Sequence, residues 1–98
     1  MPELVLEVRN PSGLHARPAA AFVKAAGRFA ADLRLANLSR NPDRSVSAKS
    51  VIGVMGLGVS AGHTVRLSAE GADADAALEE LGALIRSGLG EQLPPSDS

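Results

Sequence analysis

His15 and Arg17 stand two residues apart in Gly13-Leu14-His15-Ala16-Arg17-Pro18, where an alternating apolar stretch hands over to a helical one. A histidine at the opening of a helix sits beside backbone amides that have no intrahelical acceptor. Those amides, with the positive end of the helix dipole, form a place for an anion. A helix N-terminus also disfavours a cation, which leaves an imidazole nitrogen free as a nucleophile near neutral pH. Arg17 can reach back to the same point with several donors for phosphate oxygens. Pro18 suits the first turn, because its missing N–H falls where no partner exists. Gly13 permits a tight turn and close approach by another protein's surface. The chemistry this pattern favours is acceptance of phosphate on the imidazole. A surface histidine that simply opens a helix fits the same residues, and the local pattern leaves both readings standing.

The flanking elements follow from periodicity. Leu4 to Arg9 alternates as a half-buried strand, with Leu4, Leu6 and Val8 inward, and Asn10-Pro11-Ser12-Gly13 ends it. From Ala16 to Gly27 the spacing turns helical, with Ala19, Phe22, Val23 and Ala26 on one face. Arg17, Lys24 and Arg28 fall within a narrow arc of another face. Strands are expected at Leu33–Leu35, Ser45–Ser47 and Thr64–Ser68, and a short, glycine-weakened helix at Val51–Leu57. Asp73 is placed to cap a last helix whose inward stripe is Ala74, Ala77, Leu78, Leu81 and Ile85, and Gly88 and Gly90 stop it. The order β-α-β-β-α-β-α predicts a two-layer α+β sandwich: one buried sheet face under three helices, the other in water. Residues 1–90 are expected to form one domain, and 91–98 a flexible tail.

Composition narrows the function classes. The 98 residues are 45% hydrophobic, drawn mostly from Ala, Val and Leu, with two Phe and neither Trp nor Tyr. Such a core implies close-packed elements rather than a large ligand cavity. No cysteine is present, which excludes disulfides and thiolate metal sites, and two histidines without clustered carboxylates make a poor metal site. No apolar run approaches the roughly 18–20 residues of a membrane span, and the N-terminus lacks a signal-peptide pattern. A cytoplasmic protein without membrane insertion is the expectation. The net charge of −1 divides into +4 over residues 1–49 and −5 over residues 50–98. A basic first half with a helix face to occupy should favour acidic partners or phosphate. Gly53-Val54-Met55-Gly56 matches a GxxG clamp only formally, since its centre is apolar and stacking aromatics are lacking, so nucleic acid is not an expected partner. Nor is there a Walker-type phosphate loop for nucleotide.

Gly13-Leu14-His15-Ala16-Arg17-Pro18-Ala19-Ala20 resembles the active-site signature of the HPr family, the histidine-containing phosphocarriers of the phosphoenolpyruvate-dependent sugar phosphotransferase system. Ser47-Ala48-Lys49-Ser50-Val51-Ile52-Gly53-Val54-Met55-Gly56-Leu57-Gly58 resembles that family's regulatory-serine region, and the likeness runs over roughly residues 3–88. The resemblance implies an HPr-like open-faced β-sandwich, a four-stranded antiparallel sheet covered on one face by three helices. It implies a monomeric carrier without a cofactor, not a stand-alone enzyme. His15 would accept phosphate on Nδ1 from enzyme I and pass it to sugar-specific acceptor domains. Arg17 would steady the phosphoryl group, with Gly13, Ala16 and Pro18 shaping the site.

Ser50 matches the serine that a dedicated kinase, with its phosphorylase, modifies in many relatives; a plain helix cap fits it as well. Phosphoserine adds roughly −1.5 to −2 charge, which a helix N-terminus can carry. Partner contacts would come from Ala20, Lys24, Arg28, Lys49, Val51, Ile52 and Met55. The histidine itself argues against the regulatory paralogue that carries glutamine there. A carrier of the nitrogen-related branch is the alternative within the family, although the Gly53-Val54-Met55 region is closer to the sugar branch. The Asn37–Arg44 loop is longer than in typical members, and extra surface loop is expected there.

Overall fold

Among the residues described by the computed structural model, 2–91, seven elements follow one another. They are β1 (Glu3–Glu7), α1 (Ala16–Ala26), β2 (Asp32–Asn37), β3 (Ser45–Ser47), α2 (Val51–Gly56), β4 (Thr64–Glu70) and α3 (Ala74–Arg86). This is the order the periodicity predicts. The strands make one antiparallel sheet in the order β1-β4-β2-β3.

Period-2 alternation gives that sheet its single apolar face. Along β4, Val65, Leu67 and Ala69 are buried, while Thr64, Arg66 and Ser68 between them are half-exposed. The register sets Leu6 against Val65, Leu35 against Leu67 and Leu33 against Ala69, so apolar residues of three strands fall on one side. Leu6 and Val8 are buried as expected, Leu4 packs half-buried against the same core, and Val5 on the opposite face is 58% exposed. The helices close over the apolar side. α1 buries Pro18, Ala19, Phe22 and Ala26, with Val23 half-buried, and α3 buries the whole expected stripe together with Gly82. Burying Phe22 alone contributes about 2–3 kcal/mol. No described helix is long and apolar enough to cross a membrane.

Two expectations at element ends change. Asp73 stands before α3, but its side chain makes no bond to that helix. Its φ of −103° and ψ of 21° differ from the extended geometry that lets a capping side chain fold back on the second and third amides. The carboxylate instead accepts the backbone N–H groups of Ala30 and Ala31, each at 2.8 Å. It thereby ties the α1–β2 connection to the β4–α3 connection. Glu91, expected to begin a loose tail, is held by three hydrogen bonds to Asn10 and Ser12. Residues 92–98 of the expected tail lie outside the described residues.

The long connection after β2 is fixed at its base by buried Asn37. Asn37 Nδ2 donates to the Leu57 carbonyl at 3.2 Å and lies 3.1 Å from His63 Nδ1, while its Oδ1 accepts the Ser39 N–H. His63 Nδ1 also accepts the Ser60 N–H, so two donors face that nitrogen and the ring proton belongs on Nε2. The second histidine is thus a structural acceptor just ahead of β4.

Asp73→Ala strands two backbone donors at once. It should lower the unfolding free energy by about 1–3 kcal/mol in urea denaturation, and Asp73→Asn, which keeps one acceptor, should lose less.

Candidate functional site

The chain reaches His15 through a turn with little freedom. The Gly13 N–H donates to the Asn10 carbonyl at 3.0 Å, and the Leu14 N–H to the Val59 carbonyl at 3.0 Å. Leu14 is fully buried. Gly13 has φ +57°, and a Cβ there would stand 2.2 Å from the Val59 oxygen. Its lack of a side chain therefore makes room for the chain's own backbone, not for another protein's surface as the sequence suggested. Asn10 is buried beneath the turn, its Nδ2 donating to the Gly13 carbonyl and to Glu91. Its Oδ1 has no partner among the described residues.

His15 itself is the N-cap of α1, one step ahead of the helix, with extended φ −121° and ψ 154°. Its half-buried ring makes no capping hydrogen bond. Ala16 follows at φ +49°, a left-handed conformation for a residue with a Cβ, which costs of order 1–2 kcal/mol. Nothing in an alanine announces that strain. The Ala16 and Arg17 amides precede any possible intrahelical acceptor and have no partner among the described residues, and Pro18 in the third position has no N–H to lose. Arg17 is exposed, with no carboxylate partner among the described residues. An uncommitted imidazole, two free amides and a free guanidinium thus meet within three consecutive residues.

Glu91 adds a group that the sequence reading missed. Its carboxylate accepts Asn10 Nδ2 at 2.9 Å, the Ser12 N–H at 2.9 Å and the Ser12 hydroxyl at 2.7 Å. The Asn10 amide first, then the Ser12 hydroxyl and backbone amide, hold Glu91 below the usual carboxylate range, and the charge of Arg17 adds a smaller pull.

The other predicted site residues divide. Ser50 is the N-cap of α2 and its Oγ accepts the Gly53 N–H at 3.0 Å, while the residue stays exposed. Val51, Ile52 and Met55 expose apolar surface, Ile52 at 83%, whereas Val54 and Leu57 are buried. Ala20 and Lys24 are exposed on α1, which packs against α2. Two basic residues are engaged within the chain. Arg28 pairs with Glu80 of α3, and Lys49 Nζ donates to the Phe29 carbonyl at 2.6 Å, just past the end of α1. The basic arc expected from Arg17, Lys24 and Arg28 is therefore neutralised at one end. No cluster of three or more metal-ligating side chains occurs among the described residues.

Comparison with known proteins identifies the family. Residues 3–87 match the family model described as "PTS HPr component phosphorylation site". The phosphocarrier protein HPr of Pseudomonas aeruginosa is 41% identical over 91 residues, which cover 93% of this chain and 98% of that protein. A crystal structure of HPr from Thermoanaerobacter tengcongensis superposes with a TM-score of 0.86 at 45% identity, covering 95% of this chain and all of that one. The multiphosphoryl transfer protein of Haemophilus influenzae is 45% identical over 93 residues, and the match spans 92% of this chain but only 18% of that longer protein. Fold and sequence together define an HPr-type domain. The chain belongs to the HPr family.

Gly13→Ala would bring a methyl group onto the Val59 carbonyl in a left-handed turn. We expect a loss of at least about 2 kcal/mol in denaturant unfolding, with the largest amide shifts over residues 10–17.

Proposed function

We propose that this chain carries a phosphoryl group on His15 between enzyme I and sugar-specific components of a phosphotransferase system. The observation that carries the reading is the placement of His15 at the N-cap of α1, ahead of two partnerless amides and beside Arg17, inside the segment matched by the family's phosphorylation-site model. An imidazole nitrogen attacks the phosphorus of the phosphorylated donor. The new P–N bond forms as the donor's bond breaks, and the second transfer reverses this on the acceptor. Oriented amides and a guanidinium stabilise the dianion without covalent involvement, which is how phosphoryl transfer is helped when the protein has little bond-making of its own to do. The exposed face of Val51, Ile52 and Met55, with Ala20 and Lys24 on α1, supplies an apolar and basic surface suited to a partner's acidic rim.

Ser50 is read as a second, regulatory phosphate acceptor. Its hydroxyl is exposed although it caps α2, and a phosphate there would keep the capping interaction while placing negative charge beside the docking residues.

Incubation with enzyme I and phosphoenolpyruvate should add one acid-labile phosphate to the wild type and none to His15→Ala. Arg17→Ala should be labelled at least about tenfold more slowly with its fold intact. Label on His15→Ala at the wild-type level removes the reading. Separately, Ser50→Asp should retain the α2 cap, seen in the Gly53 amide shift, and slow transfer from enzyme I. An unchanged rate would leave Ser50 a cap and nothing more.

A further inference from the structure

One carboxylate near the end of the described chain makes every one of its hydrogen bonds to the turn that leads into His15. Glu91 accepts from Asn10 Nδ2, the Ser12 N–H and the Ser12 hydroxyl, partners 79 to 81 positions away in sequence. Asn10 passes the constraint on, because its other amide proton goes to the Gly13 carbonyl at 2.9 Å while its backbone carbonyl accepts the Gly13 N–H. The turn is thus gripped from outside by Glu91 and from inside by Asn10 and Val59.

The delivery of Glu91 is itself built. After α3, Gly88, Leu89 and Gly90 have φ of +92°, +55° and +86°. Two glycines take such angles freely; Leu89 does so at a cost of roughly 1–2 kcal/mol. The cost is sustained because Leu89 is 3% exposed, seated in the core with its N–H on the Leu84 carbonyl at 3.0 Å. A fraying chain end would relax out of that conformation. This hook instead turns the chain back and aims the next side chain but one at Ser12.

We propose that Glu91 is a positioning residue for phosphoryl transfer through His15. It clasps the Asn10–Gly13 turn so that the imidazole, the Ala16 and Arg17 amides and the Arg17 guanidinium are presented in one fixed arrangement. The proposal rests on the reading of His15 as the transfer site. The physical need is plain from the site: the His15 ring makes no capping bond to hold it, and Ala16 beyond it is strained, so the preceding turn must define where the ring stands. Small misplacements of a reacting group are costly, with about 1 Å able to remove a hundredfold in rate. The depressed carboxylate pKa agrees with a clasp made to the ionised form.

The test uses full-length wild type, Glu91→Ala, Glu91→Gln and Ser12→Ala. Transfer from phosphorylated enzyme I is measured over a range of carrier concentrations, so that kcat and KM separate. The Ser12 and Gly13 amides are followed by NMR and the midpoint of thermal unfolding is recorded. Glu91→Ala should lose the hydrogen-bonded Ser12 amide shift and fall at least about tenfold in kcat/KM, mainly in kcat, with a folded spectrum. Glu91→Gln, which keeps an amide oxygen as acceptor, should recover part of the rate. Ser12→Ala removes one bond without touching the hook and should move the rate in the same direction, which keeps the test decisive if Glu91→Ala fails to fold. A lower unfolding midpoint with wild-type kcat and KM in a variant whose Ser12 amide has shifted would overturn the proposal. Wild type that takes no label would overturn the transfer reading and this one together; labelled wild type with unaffected variants overturns this one alone.

Discussion

An antiparallel sheet with one apolar face needs a cover, and here three helices have to supply it from a single side. The register of β1, β4 and β2 collects Leu6, Val65, Leu67, Leu33 and Leu35 on that side. α1 and α3 answer with stripes that mix small residues (Ala19, Ala26, Ala74, Ala77, Gly82) with Phe22, Leu78, Leu81 and Ile85, and such close packing leaves little tolerance for larger residues. Because both long helices must lie across the same face, the chain has to turn sharply as it leaves β1 to begin α1. His15 stands in that turn. The free amides beside it are the ordinary consequence of a helix that begins at the sheet's edge, left open by the packing.

The same constraint explains how charge is distributed. Arg28 lies where α1 faces α3 and is paired with Glu80, and Lys49 satisfies a carbonyl at the exit of α1. These two basic residues are engaged within the chain. Arg17, at the His15 end of α1, and Lys24, in its last turn, have no carboxylate partner among the described residues. At the His15 end, Arg17 is left facing solvent. Ser50 follows a similar logic at a smaller scale: one oxygen satisfies a helix end and yet stays within reach of solvent.

What was legible in the sequence was periodic or local. Alternation located the strands, the Ala19-Phe22-Val23-Ala26 spacing located α1, and the stripe from Ala74 to Ile85 was buried residue for residue. His15 and Ser50 fell at helix starts because the residues around them signal such starts. What escaped were contacts between distant segments and backbone states that residue type does not encode. Asp73 looks like a cap for its own helix but serves amides 42 and 43 positions earlier. Glu91 sits in an unpromising polar stretch, and its partners are defined only once α3 has docked. Gly13 is the turn glycine that its neighbours imply, yet what approaches it is Val59, 46 positions later in the sequence. Ala16 carries a positive φ that only the crossing from sheet to helix imposes.

The pairing of β1 with β4 has a consequence for how the protein comes into being on the ribosome. β1 emerges some sixty residues before its partner and, among the described residues, pairs with no other strand. The turn ahead of His15 similarly waits for Val59, and its outer side for Glu91. During vectorial synthesis the histidine therefore leaves the exit tunnel well before the segments that surround it. Nascent chains that stop short of α3 would display the histidine without the framework that orients it. Completion of this fold and the ordering of the turn ahead of His15 are, by topology, nearly the same event.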